Sequence, residues 1–219
     1  MKCLSAVALA GLLAATAFSP ALAQGYFMGP TGYQAGDVLV HLRVIGVIPE
    51  NFSSSVSPIG GHVTTTDQAA PEVDLSYFLT PHWSVEAIAA TSRHEVAATG
   101  TTLGKVDVGS VWALPPTITL QYHAPQIGIF RPYAGVGLTV LFLYDSQAAG
   151  PTVTKVGYNI GVGPALDAGF DIPLKGRWVA NFDVKQMFVN TEARINNSTI
   201  IAKDSLSPTV VGAGIGYVF

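Results

Sequence analysis

The chain has 219 residues, one cysteine and a formal net charge of −3, and only 11% of its residues are charged. Soluble domains carry about 25% charged residues, so the composition argues against an ordinary soluble domain, and the mild acidity argues against a nucleic-acid partner. The region after the first 23 residues has no apolar run near the ~18 residues that a transmembrane helix needs. An apolar chain without such a helix is expected to span lipid as a closed β-barrel.

Residues 1–23 are predicted to be a secretory signal peptide. Lys2 supplies a positive start, residues 7–18 are almost unbroken apolar sequence, and residues 21–23 (ALA) form a small-x-small cleavage pattern. The alternative is an N-terminal membrane anchor, but the run is short for a span and ends in the cleavage pattern. Cleavage would remove Cys3 and leave residues 24–219 as a single domain without a thiol for disulfides or catalysis.

Eight later segments alternate between two faces, which is the period of a β-strand with one side in lipid. In residues 132–144 the set Ala134, Val136, Leu138 alternates with a second set rich in glycine. The eight segments are residues 37–44, 72–77, 83–89, 117–123, 132–144, 157–170, 178–185 and 208–219. Single-chain barrels of the bacterial outer membrane have an even number of strands. The sequence therefore predicts an all-β fold, an eight-stranded antiparallel transmembrane β-barrel of the bacterial outer membrane, reached by signal-directed export.

The connections between these segments alternate in length. Residues 80–82, 124–128 and 172–177 make short connections, whereas residues 49–70, 96–114, 146–155 and 190–205 make longer ones rich in Gly, Ser, Thr and Asn. Short periplasmic turns and longer external loops are typical of outer-membrane barrels.

Aromatic residues gather at the predicted strand ends, as expected of belts at the two membrane interfaces. The belt near the short turns comprises Tyr77, Trp83, Tyr122, Phe170, Trp178, Tyr217 and Phe219. The belt near the long loops comprises Phe142, Tyr144, Tyr158 and Phe188. A soluble β-sandwich with core aromatics is the alternative, but it would not require a signal peptide, alternating loops and low charge together.

Four stretches carry a resemblance to a known family. Residues 114–123 (LPPTITLQYH) are followed closely by residues 130–138 (FRPYAGVGL), with residues 178–185 (WVANFDVK) and the ending GIGYVF further on. This pattern resembles the OmpW family (outer membrane protein W) over most of the chain after residue 23. The resemblance implies an eight-stranded barrel with a narrow, largely apolar lumen that passes small hydrophobic molecules across the outer membrane and releases them sideways through the wall.

The terminal strand that ends at Phe219 also resembles the signal by which the outer-membrane assembly machinery recognises barrels. Outer-membrane lipid, this machinery and small hydrophobic solutes are therefore the expected partners. The alternative function is a structural or interaction barrel that conducts nothing and binds partners through its surface loops.

Pro164 falls inside a predicted strand. Every strand of a closed barrel is paired on both sides, so the missing N–H should force a bulge or a kink. The residue marks either a weak point of the wall, suited to sideways exit, or a local bulge without functional consequence.

Nine polar residues are predicted to point inward. They are His41, Arg43, Asp74, Glu86, Gln121, His123, Asp167, Asp183 and Lys185. An eight-stranded barrel is just wide enough for side chains to fill, and buried charges must pair to offset desolvation. The set is either a structural salt-bridge plug or a polar floor beneath an apolar cavity. Inward glycines at positions 135, 137, 161, 163, 212, 214 and 216 leave room for bulky partners or for a cavity.

The inward alternation becomes apolar toward the long loops. Ile45, Val47, Leu141 and Leu143 are predicted to line an apolar vestibule, with Ile48, Phe52 and Trp112 as candidate gates.

Neither catalysis nor a metal or cofactor is predicted. Ser92, His94 and Glu95 lie close in sequence, but their spacing on a strand places them on mixed faces, and no nucleophile-elbow motif is present. The five histidines lack ligand spacing, and the glycine-rich ending lacks the spacing and the helix of a nucleotide loop.

Overall fold

The computed structural model describes residues 30–219, so the predicted signal peptide lies outside the described residues. Within this range no helix is long and apolar enough to cross a membrane. The described residues form fifteen β-strands: β1 (Val38–Ile48), β2 (Asn51–Ser57), β3 (His62–Thr65), β4 (Gln68–Phe78), β5 (Trp83–Ala90), β6 (Ser92–Thr101), β7 (Gly104–Leu114), β8 (Thr117–His123), β9 (Arg131–Ala148), β10 (Val156–Tyr158), β11 (Gly161–Pro173), β12 (Trp178–Met187), β13 (Val189–Ile195), β14 (Ile200–Leu206) and β15 (Thr209–Val218).

These strands make eight antiparallel spans. β9 is a span by itself, and the others combine as consecutive pairs separated by a short break, such as β1 with β2 and β14 with β15. The lower ring closes in the order β1, β4, β5, β8, β9, β11, β12, β15, because β1 pairs with both β4 and β15. Leu39 lies opposite Val218 in the closing ladder. The predicted eight-stranded antiparallel barrel is confirmed.

The outer surface of this ring is apolar. Side chains alternate between buried and exposed along β8, and the most exposed apolar ones include Val44, Leu138 and Val162, each more than 60% exposed. Such a band is unfavourable in water and favourable in lipid, so the ring is the membrane-spanning part.

The seven aromatic residues assigned to the belt near the short turns lie on this outer face. Trp83 packs edge-on against Tyr122 with ring centroids 5.1 Å apart, and Trp178 packs against Tyr217 at 5.0 Å. Aromatic side chains at this position are what is expected of a belt at a membrane interface, where amphipathic side chains prefer the headgroup level.

The predicted long loops are mostly strands, which corrects the assignment from sequence. Residues 49–70 contain β2 and β3, residues 96–114 contain most of β6 and β7, and residues 190–205 contain most of β13 and β14. β9 also continues to Ala148. Their outer side chains include exposed polar ones such as Arg93 and Glu95, as expected of strands that extend beyond the lipid. The apolar lipid-facing set that reveals a membrane strand is therefore missing from them.

Above the membrane ring, the wall divides into two sheets. One sheet joins β2, β14, β13 and β10, and the other joins β3, β6, β7 and the end of β9. Among the described strands, no backbone ladder links β2 to β3 or β9 to β10. Side chains bridge these two seams: Val63 donates its N–H to Ser54 Oγ at 2.9 Å, and Ser146 Oγ donates to the Val156 carbonyl at 3.1 Å.

Inward glycines in the membrane ring make room for side chains from neighbouring strands. Gly135 lies against the side chains of Gln121 and Asp167, and Gly216 lies against His41. A side chain at either glycine would occupy the same space. The sequence left open whether the inward glycines make room for bulky side chains or for a cavity. At these two positions they make room for side chains.

Candidate functional site: a polar layer below an apolar vestibule

The nine inward polar side chains predicted from alternation lie together in the lower half of the barrel. Each of them is at most 5% exposed. Glu72, Asp171 and Asn181 join them and are also buried. We call these twelve residues the polar layer.

Arg43 is at the centre of the polar layer. Its Nη1 lies 2.7 Å from Asp74 Oδ2 and 3.0 Å from Glu72 Oε1. Its Nε donates a hydrogen bond to Asn181 Oδ1 at 2.6 Å. β15 lies between β1 and β12, so this last bond spans one intervening strand. Nη2 also donates to the Tyr133 hydroxyl of β9, the strand opposite β1 in the ring, at 3.4 Å, so one guanidinium connects opposite sides of the barrel.

Acidic groups outnumber the permanent cations in the polar layer. Lys185 Nζ lies 2.9 Å from Glu72 Oε1 and also pairs with Asp183. Gln121 Nε2 donates to Glu86 at 2.8 Å and to Asp167 at 2.6 Å. Against the two cations Arg43 and Lys185, the polar layer contains six buried carboxyl groups: Glu72, Asp74, Glu86, Asp167, Asp171 and Asp183. The layer therefore has an acidic excess within an ion-paired network.

The side of the polar layer toward the short turns is covered by aromatic and apolar groups. His41 lies between Asp74 and Asp171, with nitrogen-to-oxygen distances of 2.8 and 3.1 Å. Tyr33, which precedes β1, donates its hydroxyl to Asp171 Oδ2 at 2.6 Å and stacks on Phe78 with centroids 4.4 Å apart. Tyr33 and Phe78 belong to a fully buried cluster completed by Leu39, Val179 and Val218. This cluster covers the polar layer from below.

His41, Asp74 and Glu86 present ligand atoms within 4.8 Å of one another, so they are the group best placed to hold a metal ion. Arg43 already lies among them, with Nη2 3.2 Å from His41 Nδ1 and 3.6 Å from Glu86 Oε1. A divalent cation would have to compete with the guanidinium for the same acceptors. The residues fit an ion-pair network better than a metal site.

Above the polar layer is an apolar cavity, which we call the vestibule. Ile45, Val47, Leu141 and Leu143 line its lower wall. The strands beyond the membrane extend it with Val56, Val63, Ala98, Val108, Ile195 and Ala202. Its volume is about 100 Å³, on the scale of the ~150 Å³ apolar cavities that take up benzene. The lumen thus changes from charged to apolar along its axis.

The wall of the vestibule has a break beside Pro164. The ladder between β11 and β12 ends at the pair Ala165 and Met187. Phe188 donates its N–H to the Pro164 carbonyl at 2.9 Å, but proline has no N–H for the reciprocal bond. Above this point Gly161–Gly163 lies beside β13 without a ladder pairing. Val189 of β13 lines the vestibule, so the break borders the cavity.

Comparison with known proteins agrees with this architecture. The model of the OmpW family matches residues 34–219. The chain belongs to the OmpW family. An uncharacterised outer-membrane protein of Sinorhizobium fredii is 34% identical, over all of this chain and 96% of the relative. The crystal structure of the outer membrane protein OprG from Pseudomonas aeruginosa is similar with a TM-score of 0.78 and 26% identity, covering 86% of this chain and 98% of OprG.

A further relative comes from a metabolic operon. The dibenzothiophene metabolism operon protein DoxH of a Pseudomonas species is 25% identical, over 73% of this chain and 76% of the relative. Together with the family match, these comparisons identify this OmpW-family chain as a protein of the bacterial outer membrane, where its barrel is embedded in lipid.

Two candidate gates of the OmpW-family barrel lie on its outer face and do not line the vestibule. Ile48 is 42% exposed, because the alternation that turns Ile45 and Val47 inward turns it outward. Trp112 stacks on Tyr144 with ring centroids 6.4 Å apart. The assignment assumed loops at these positions, whereas both residues belong to regular strands. The side chain of the third gate, Phe52, lies outside the described side chains.

Tyr158 was predicted to belong to the aromatic belt near the long loops, but it lines the vestibule. Ile160 and Val162 are 59% and 61% exposed, as expected of the outer face. β10 ends at Tyr158 and β11 begins at Gly161. The two residues between these strands change the phase of the alternation, which the sequence pattern did not reveal.

The Ser92, His94 and Glu95 set lies on mixed faces, as the spacing predicts. Ser92 Oγ is 2.8 Å from His94 Nε2, and His94 Nδ1 is 2.8 Å from the Thr66 carbonyl. Both side chains line the vestibule, and burial lowers the pKa of His94. The Glu95 side chain is 69% exposed on the outer face and is not the acid of a triad with them.

Several site residues of the OmpW-family barrel were not identified from the sequence. Asp171 lies one residue beyond a predicted strand, and Tyr33 precedes the first one, so alternation gave no signal for either. Asn181 and Glu72 are on the predicted inward faces and were detectable by polarity. The upper wall of the vestibule was missed because its strands were assigned as loops.

Proposed function

We propose that this barrel passes small hydrophobic molecules from outside the cell into the outer membrane. The solute enters the vestibule, meets the polar layer and leaves sideways through the wall beside Pro164. The observation that carries this proposal is the change in the lumen from an apolar cavity to a packed, charged floor.

The polar layer is a poor route for an apolar solute. Passage straight down would require separating buried ion pairs such as Arg43 and Asp74, and unpaired buried charges are costly. The apolar walls of the vestibule, by contrast, accept such a solute without the loss of hydrogen bonds. The floor therefore retains the solute at the level of the membrane.

The break beside Pro164 supplies the sideways route. Strands in a barrel wall are held together by continuous backbone ladders, and Gly161–Gly163 has none toward β13. Separating these segments costs less than separating paired strands. The exposed apolar side chains of Val162 and Phe188 mark lipid on the outer side of the break.

The relatives support the same solute class. The operon of the DoxH relative is named for the metabolism of dibenzothiophene, an apolar aromatic compound. We infer transport and not catalysis, because the second ring nitrogen of His94 is bonded to the Thr66 carbonyl and not to a carboxylate among the described residues, and because the polar layer is an ion-pair network.

Uptake of an apolar fluorescent dye by cells with and without this protein tests the proposal. We expect faster dye entry when the protein is present, with unchanged entry of a small hydrophilic dye. Equal entry of the apolar dye in both strains would instead favour a barrel that conducts nothing and acts through its outer surface.

A further inference from the structure

Asp204 is a buried carboxyl group that faces the vestibule from β14. Its neighbours across the ladders are Ser54 of β2 and Thr191 of β13. The residue is 9% exposed, and its Oδ1 has no hydrogen-bond partner among the described residues. Buried polar atoms are nearly always paired, so an unpaired one at a cavity wall is a feature that a bound molecule would satisfy.

The vestibule provides no positive charge near this carboxyl group. Among the described residues that line it, the acids are Glu72 and Asp204, and none is Lys or Arg. Glu72 is at the floor and is neutralised by Arg43 and Lys185 of the polar layer. Asp204 is therefore the acid of the vestibule without a counter-charge.

His94 and Tyr158, the two titratable groups of the cavity wall that are not acids, are neutral near pH 7. Burial lowers the pKa of His94, which is held by Ser92 and the Thr66 carbonyl. Burial raises the pKa of Tyr158 to about 12, and its hydroxyl likewise has no partner among the described side chains. Burial raises the pKa of Asp204 only to about 6, so this carboxyl is mostly ionised at pH 7.5.

An apolar cavity with one unpaired carboxylate matches a particular class of molecule. A protonated amine on a small apolar body would give Asp204 a charged hydrogen-bond donor while the body fills the apolar space. A carboxylate on the same body would be repelled, and a neutral alcohol would donate a hydrogen bond to Asp204 without the ionic attraction of an ammonium group.

We propose that the vestibule prefers small apolar amines and that Asp204 binds their ammonium group. This inference rests on the proposed function, because it names the solute class that the same vestibule takes up.

Three single-ring probes with nearly the same body test the preference: benzylamine, benzyl alcohol and benzoate. Binding is measured by calorimetric titration of the barrel in lipid nanodiscs at pH 7.5, with protein-free nanodiscs subtracted for partition into lipid. We expect benzylamine to bind about tenfold more tightly than benzyl alcohol, and benzoate to bind least.

Asp204→Asn should abolish the advantage of benzylamine and keep the binding of benzyl alcohol. Glu95→Gln, which removes an acid from the outer face, should change neither.

The outcomes separate the two proposals. Binding of benzyl alcohol without a preference for benzylamine would overturn the role of Asp204 and leave the hydrophobic vestibule standing. A preference that survives Asp204→Asn would overturn the assignment of the ammonium site to this residue. No binding of any probe would count against the amine site, and uptake of the apolar dye would still test the proposed function by itself.

Discussion

Phe188 donates its backbone N–H to the Pro164 carbonyl at 2.9 Å, and the reciprocal bond of this antiparallel pair is missing because residue 164 is a proline. The ladder between β11 and β12 stops at the adjacent pair. The proline ring, which leaves residue 164 without an N–H, thus lies at the point where backbone pairing between β11 and β12 ends.

Replacing Pro164 should close this break. Pro164→Val restores an N–H that can bond the Phe188 carbonyl and strengthen the wall, so the uptake of an apolar dye should fall by about half or more. Dye entry into cells with equal amounts of folded barrel measures the effect. Ala168→Val is the matched control, since Ala168 is exposed on the same strand β11 but is paired on both sides, with Val184 and Ala134. Equal uptake by Pro164→Val and the unsubstituted protein would refute the sideways route at this place.

Arg43 should be the most important side chain of the polar layer for stability. Arg43→Met leaves Asp74 and Glu72 without their central cation, and removing one partner of a buried ion pair costs about 3–5 kcal/mol. Urea unfolding in lipid, followed by the gel mobility of the folded barrel, measures the loss. Arg93→Met is the control, because its pair with Glu95 is exposed at 3.9 Å and such pairs contribute about 0–1 kcal/mol. Similar losses in both variants would mean that the ion pairs do not hold the lumen together.

A charge in the vestibule should block hydrophobic solutes. Leu141 is 4% exposed and lines the lower wall, so Leu141→Asp places a carboxylate where an apolar body would pack. We expect apolar dye uptake to fall at least threefold and single-channel recordings to change. Leu103→Asp, at a position 62% exposed in the turn between β6 and β7, is the control and should behave as the unsubstituted protein. Unchanged uptake by Leu141→Asp would exclude the vestibule as the entry path.

The preference for benzylamine should depend on pH. Burial raises the pKa of Asp204 to about 6, so the carboxyl group is ionised above this pH and becomes neutral as the pH falls through it. Benzylamine remains protonated throughout, and its advantage over benzyl alcohol should shrink between pH 7.5 and pH 5. His94 and Tyr158 share the cavity, and burial lowers the pKa of the first and raises that of the second to about 12, so Asp204→Asn is titrated alongside to isolate the contribution of Asp204. Titrations at both pH values check this, and a constant preference would contradict it.

The same raised pKa has a consequence for stability. Because the folded state holds the Asp204 proton more tightly than the unfolded chain, burial of this group is tolerated best at low pH and becomes unfavourable as the pH rises from about 4 to about 6. Asp204→Asn should therefore stabilise the barrel slightly at pH 7.5 and leave its stability unchanged at pH 4. Urea unfolding at both pH values measures the difference, and a destabilised variant at pH 7.5 would contradict it.

Alternation identified the parts of the fold in which lipid dictates one face. In β8 every second residue is exposed and apolar, so period and polarity give the same answer. Beyond the lipid the outer face need not be apolar, so a strand such as β6, with Arg93 on its outer face, was assigned as a loop. The same alternation places Ile48 and Trp112 on the outer face, but it can be applied to them only when the strands are known to continue through these residues.

The candidate site was predictable to the extent that its residues lie on regular strands. His41 and Arg43 follow from the inward face of β1 alone. Tyr33 reaches the polar layer from outside any strand, and the phase change between Tyr158 and Gly161 has no local sequence signal. Asp204 Oδ1 has no hydrogen-bond partner in the described part of the chain, and this depends on β2, β13 and β14, which meet only in the folded barrel. The sequence alone could not predict it.

Tyr33 has one further consequence, which concerns how the barrel is built. Its ring packs with Leu39 and Phe78 from the first half of the chain and with Val179 and Val218 from the last. The site that receives this ring is complete only after the first and final strands have joined. A fluorescent reporter at position 33 would therefore lose contact with solvent when the first and final strands pair and the barrel closes. Its signal would report the time at which the barrel closes during assembly.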